Sequence, residues 1–184
     1  IFPIFDRKSN PIAFGGRAMF NSKAKYLNSP NSILFQKSEC LYGLSHLIRD
    51  DFKTKPLLIV EGYMDVISIN QSKIAQGLAP LGTAISENQI ETIWKLNNKL
   101  VLCLDGDKAG ETAAWRFINR VLPILNIGKE ISFAWLPENH DPDDMLRNSQ
   151  EDHFKAIINN PSSLIDTIWK ILKNKYHDTN PDSK

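Results

Sequence analysis

The chain has 184 residues, 42% of them hydrophobic and 23% charged, enough to bury a core and ordinary for a globular protein, which excludes disordered and fibrous classes. No apolar run approaches the ~20 residues of a bilayer span, and the two cysteines, Cys40 and Cys103, have no neighbouring Cys or His at ligand spacing, so zinc sites and disulfide frameworks are not expected. The net charge of +1 is uneven: up to Lys37 six basic residues (Arg7, Lys8, Arg17, Lys23, Lys25, Lys37) stand against one acid, Asp6, and the remainder is acidic.

The opening Ile-Phe-Pro-Ile-Phe reads as a strand and does not start with Met, so a piece of a longer polypeptide is expected. Residues up to 37 alternate apolar and polar positions around Gly15-Gly16 and Asn-Ser-Pro turns, which predicts short strands and loops. Residues 38–53 are expected to be helical. From Pro56 buried strands alternate with amphipathic helices: strands at Leu57 to Val60, Gly77 to Pro80, Leu100 to Leu104 and Ile131 to Leu136, with helices at Met64 to Ser72, Ser86 to Leu96 and Ala109 to Leu125. Such alternation with near-continuous apolar strands predicts a parallel sheet covered on both faces. Ser86 and Gln89 have the spacing of a capping box. After Pro161 the positions Leu164, Ile165, Ile168, Trp169 and Leu172 have helical spacing, and the polar tail is expected to fray. Trp94, Trp115, Trp135 and Trp169 are expected in the core, as is Cys103.

In open parallel sheets ligands gather beyond the C-terminal ends of the strands, and three of the predicted strands end in acids. The first leads into Glu61-Gly62 with Asp65 in the following helix; the third leads into Asp105-Gly106-Asp107; the fourth is followed by Asp141-Pro142-Asp143-Asp144. Converging carboxylates repel one another unless a cation lies among them. Mg²⁺ suits such a set, because it takes hard oxygen ligands and keeps waters and phosphates in its shell. A basic lobe beside an acidic one suggests polyanion binding next to a metal site. The Asp105-x-Asp107 run fails as a calcium loop, since Ala109 and Arg116 stand where ligands are needed, and no phosphate-loop or dinucleotide fingerprint is present.

Glu61-Gly62-Tyr63-Met64-Asp65-Val66, Leu81-Gly82-Thr83-Ala84, Asp105-Gly106-Asp107-Lys108-Ala109-Gly110 and Asp141-Pro142-Asp143 closely resemble the TOPRIM domain of DnaG-type bacterial primases. Upstream, Phe14-Gly15-Gly16-Arg17, Lys25-Tyr26-Leu27-Asn28-Ser29-Pro30, Leu34-Phe35 with Lys37, and Leu41-Tyr42-Gly43-Leu44 resemble the same family's basic lobe. The resemblance covers about residues 1–150. It implies an α/β fold in which a TOPRIM domain, a Rossmann-like parallel sheet with flanking helices, occupies 56–145. Part of an N-terminal α+β basic lobe would occupy 1–55 and a C-terminal helical segment 146–184.

The activity implied is synthesis of short RNA primers on single-stranded DNA by metal-dependent nucleotidyl transfer. Glu61 would be the general base or metal-organising acid, with Asp105 and Asp107 as metal ligands; Asp65, Asp141 and Asp143 would complete the acidic site for Mg²⁺, with Mn²⁺ able to substitute. Arg17, Lys25, Tyr26, Asn28 and Lys37 would contact nucleotide or nucleic acid. NTPs, template and RNA primer are the implied ligands, and the replicative helicase and single-strand binding protein would be met through domains outside this chain, in the bacterial cytoplasm. The competing readings are another TOPRIM enzyme, a topoisomerase or nuclease, and a non-catalytic nucleic-acid-binding module. The upstream basic elements weigh against the first and the full set of acids against the second.

Overall fold

The computed structural model describes residues 1–20, 24–47, 51, 54–82 and 84–177. A small antiparallel sheet comes first, with β1 (Phe2–Phe5) on β2 (Pro11–Arg17) and β2 on β3 (Tyr26–Asn28). The β1–β2 turn closes on Asp6, whose carboxylate accepts the amides of Lys8 at 2.8 Å and Asn10 at 2.9 Å. Such side-chain-to-backbone bonds stand in for a backbone turn.

The second sheet has six strands in the order β4 (Leu41–Tyr42), β6 (Gln76–Pro80), β5 (Leu57–Ile59), β7 (Lys99–Leu104), β8 (Glu130–Trp135) and β9 (Ser162–Ser163). The predicted strands form its parallel centre. Two further strands that the sequence did not suggest, the two-residue β4 and β9, pair antiparallel at the edges. Residues 38–53 are not one helix: β4 is followed by Gly43 at φ +89° and a short 3-10 helix at Leu44–His46. The left-handed glycine breaks any helical path. Residues 48–50, 52 and 53 lie outside the described residues, as do Lys23, Thr83 and the polar tail.

Period-two alternation sends Leu100, Leu102 and Leu104 of β7 to one face of the sheet and Val101 and Cys103 to the other. On the first face lie α2 (Glu87–Trp94), α3 (Lys108–Val121) and α6 (Leu164–His177), through Ile90, Ile93, Phe117, Ile118 and Ile171. On the second lie α1 (Tyr63–Ser72), α4 (Pro142–Arg147) and α5 (Glu151–Asn159), through Val66, Ile69, Met145, Phe154 and Ile158. The capping box is formed: Ser86 Oγ accepts from Gln89 N at 3.1 Å, and Gln89 Oε1 accepts from Ser86 N at 2.9 Å. α3 ends at Val121, short of the expected Leu125, and a 3-10 turn containing Pro123 follows, because proline lacks the N–H that would continue the helix.

Trp94 is buried, Trp115 and Trp135 are half-buried, and Trp169 is 71% exposed, which corrects the expectation that it lies in the core. α6 is apolar on two sides. Thr167 and Ile171 turn inward while Ile165 and Trp169 face solvent.

A third apolar cluster, Ile4, Ala13, Phe35, Tyr63 and Leu81, joins the small sheet to the large one. Gln89 is a further tie: its Nε2 donates to the carbonyls of Lys37 at 2.9 Å and Cys40 at 2.6 Å, which fixes the segment carrying Lys37 against α2.

Candidate active site

The parallel strands all point their C-terminal ends to one edge, where the loops into α1, α3 and α4 meet. β5 leads through Val60 to Glu61 and Gly62, and the Gly62 amide donates to Asp65 Oδ2 at 3.0 Å. β7 leads to Asp105, and Asp107 caps α3 by accepting from Gly110 N at 2.7 Å. Beyond β8, Asp141 caps α4 by accepting from Asp144 N at 2.7 Å. Two glycines permit this closeness. A Cβ at Gly106 would come within 2.2 Å of the Leu136 carbonyl oxygen, and one at Gly110 within 2.0 Å of the Asp105 carbonyl oxygen.

Glu61, Asp65, Asp105 and Asp141 line one cavity of about 600 Å³, and Lys25, Tyr26 and Asn28 of the basic lobe line it too. Burial, with the Asp141 carboxylate next, pushes Asp65 up to about 7 against the opposing pull of the Asp143 and Gly62 amides. Burial, with Glu61 and Asp107 next, pushes Asp105 up to about 6. Burial and neighbouring carboxylates thus act in the same direction on both acids.

Not every predicted residue reaches this cavity. Asp107 and Asp143 do not line it: Asp107 is engaged as a helix cap, and Asp143 accepts from the Ser68 hydroxyl and from Arg147 Nε at 2.8 Å. Arg17 lies over the Tyr26 ring at 5.9 Å. Lys37 lines an adjoining cavity of about 550 Å³ that shares Pro80, Ala84 and Arg120 with the first.

Sequence reasoning missed Arg116 and Arg120, which line the acidic cavity from α3. Their i, i+4 spacing behind Asp107 was the available signal, since such positions share a helix face. Arg120 Nη1 also donates to the carbonyls of Ala84, at 3.2 Å, and Ile85, holding the loop after β6. Tyr63 was missed as well; it is 7% exposed and its hydroxyl donates to Asn28 Oδ1 at 2.5 Å.

Among the described residues no three Asp, Glu, His or Cys side chains are gathered closely enough to hold a metal ion by themselves. The donor set nevertheless fits a hard divalent cation. Its members are carboxylate oxygens, two of them with pKa values raised first by burial and then by neighbouring carboxylates, and Mg²⁺ needs only one or two carboxylates when water and phosphate fill the rest of its shell.

A parallel sheet with acids converging beyond its strand ends defines a Toprim-like protein, and residues 58–146 match the family described as Toprim-like. Residues 1–48 match the N-terminal domain of the DNA primase catalytic core. The DNA primase of Rickettsia bellii is 42% identical over 169 residues, which are 92% of this chain and 28% of that protein. The E. coli primase catalytic core superposes with a TM-score of 0.87 at 36% identity, covering 98% of this chain and 58% of that one. A DnaG primase catalytic domain bound to single-stranded DNA superposes with a TM-score of 0.85 at 35% identity, over 98% of this chain and 58% of that one. The chain belongs to the bacterial DnaG-type DNA primases and corresponds to part of their catalytic core. It spans 28% of the length of that Rickettsia relative. Among the described residues no helix is long and apolar enough to cross a membrane.

Proposed function

We propose that this chain carries the nucleotidyl-transfer centre of a primase, which joins ribonucleotides into short RNA primers on a single-stranded DNA template. In each step a 3′ hydroxyl attacks the α-phosphate of an incoming NTP, a new phosphodiester forms, and pyrophosphate leaves. The observation that carries this reading is a single cavity with Glu61, Asp65, Asp105 and Asp141 beyond the strand ends and Lys25, Tyr26 and Asn28 from the basic lobe. One side suits metal and the other phosphate and sugar.

Glu61 would take the proton of the attacking hydroxyl or orient the groups that do so. Asp105, Asp107 and Glu61, completed by Asp65, Asp141 and Asp143, would hold Mg²⁺, with Mn²⁺ as a substitute that binds such donors more tightly. When bound, the metal supplies charge neutralisation for phosphate oxygens. Lys25 and Lys37 would hold phosphates as point charges, whereas Arg17 offers a planar fork that grips two oxygens at once. Tyr26, with Arg17 over its ring, suits a base or sugar.

The match of residues 1–48 to the primase N-terminal domain supports this reading over a topoisomerase or nuclease with the same acidic fold. The single-stranded DNA held by the related catalytic domain supports the template assignment. A division into 1–55, 56–145 and 146–184 fits the chemistry, with β4 and β9 as the ties that the outer parts send into the central sheet. A replicative helicase and single-strand binding protein, met in the cytoplasm through other parts of the polypeptide, complete the proposal. The chain incubated with single-stranded DNA, NTPs and Mg²⁺ is expected to yield short labelled RNA, lost in Asp105→Ala. RNA undiminished in that variant, or no product together with no binding of single-stranded DNA, overturns the reading.

A further inference from the structure

Tyr63 begins α1, two residues after Glu61, and is almost wholly buried although it ends in a hydroxyl. Its ring stacks on Phe2 with centroids 4.8 Å apart and planes 2° from parallel, and meets Tyr42 edge-on at 4.6 Å. It also fills the space that Gly15 leaves open: a Cβ there would come within 2.5 Å of the ring. Ring, stack and glycine together lock the small sheet to the turn that carries Glu61. The hydroxyl then reaches Asn28 at 2.5 Å. That length is short for an N–H donor and within the range of O–H to O, so the tyrosine donates and the amide oxygen of Asn28 accepts. The Asn28 Nδ2 is left with no partner among the described residues, at the cavity wall beside Gly82, whose missing Cβ would lie 3.4 Å from it.

We propose that Tyr63 is a positioning residue for substrate: by occupying the oxygen of Asn28 it presents the Asn28 amide N–H donors to a phosphate or sugar oxygen of the nucleotide or template. This rests on the cavity being the substrate site, as proposed above, and adds a role that the acids do not have. The geometry makes the two side chains one unit, because without the hydroxyl the Asn28 amide is free to turn over and present an acceptor to an anionic ligand.

The test is a double-mutant cycle on the chain with Tyr63→Phe, which keeps the ring packing, Asn28→Ala, and both together. ATP with Mg²⁺ and a short oligodeoxythymidylate are titrated separately, which distinguishes nucleotide from template as the source of the oxygen. Tyr63→Phe is expected to weaken one of these ligands roughly five- to tenfold, the effect of a misaligned hydrogen bond to a charged group. Its melting temperature should stay near that of the unsubstituted chain, and the double variant should be no weaker than Asn28→Ala alone. In primer synthesis the loss should fall on KM for that ligand and not on kcat. Binding unaltered in Tyr63→Phe, losses that multiply in the double variant, or a melting shift with no change in binding each overturns the proposal. An unsubstituted chain that binds both ligands, with the cycle as expected, but makes no RNA would overturn the catalytic reading and leave the role of Tyr63 standing.

Discussion

Asp143 accepts hydrogen bonds on one oxygen from both Ser68 of α1 and Arg147 of its own helix, the latter at 2.8 Å. This carboxylate is therefore a strut between α1 and α4 at the rim of the acidic cavity. Its loss strands the buried Ser68 hydroxyl. Asp143→Ala is expected to destabilise the fold by about 1–3 kcal/mol, read as a melting temperature lower by roughly 2–4 °C per kcal/mol for a chain of this size. An unchanged melting temperature with loss of metal binding would assign Asp143 to the metal instead.

The raised acids set a pH dependence. Asp65 stands at about 7 and Asp105 at about 6 in the fold, while both return to about 3.9 on unfolding. Between about pH 4 and 7 the folded chain thus holds protons that the unfolded chain has released, so their contribution to metal-free stability falls as pH rises through that window. Urea midpoints at about pH 5 and about pH 7.5 should show this fall. Asp65→Asn should flatten it, and millimolar Mg²⁺ should restore stability near neutrality by binding the ionised acids. A slope unaltered by Asp65→Asn contradicts the argument.

From the sequence alone, loss of Asp105 or Asp107 is expected to leave metal-free melting almost unchanged. That stands for Asp105, whose removal relieves repulsion, but not for Asp107, which caps α3. Asp107→Ala should cost about 1 kcal/mol, whereas Asp107→Asn keeps the cap. Primer synthesis then separates the two roles: full activity in Asp107→Asn removes Asp107 from the metal-holding set, and lost activity with normal melting keeps it there.

Lys25 lines the acidic cavity and Lys37 the adjoining one. If each meets one phosphate, Lys25→Ala and Lys37→Ala should each lower the magnitude of the log K against log salt slope for single-stranded DNA by roughly 0.7. Metal affinity without nucleotide should be unaffected. Slopes equal to that of the unsubstituted chain would mean that this lobe is only a solvated surface.

Local chemistry made much of this protein legible. The near-continuous apolar runs at Leu57 and Leu100, the capping spacing of Ser86 and Gln89, and acids directly after apolar strands are all written within a few residues of one another, and the strands and the capping box formed as expected. What tertiary structure decided was pairing and direction. Leu41–Tyr42 became an edge strand because β6 offered it a free edge and Gly43 broke the helical path; Trp169 was left outside because α6 has two apolar sides and the sheet covers only one. The same holds at the site. An aspartate at a helix start is both a good cap and a good metal ligand, so sequence could not separate Asp107 and Asp143 from Asp65, Asp105 and Asp141. Only in the folded chain do Asp65, Asp105 and Asp141 come to line one cavity while Asp107 and Asp143 do not.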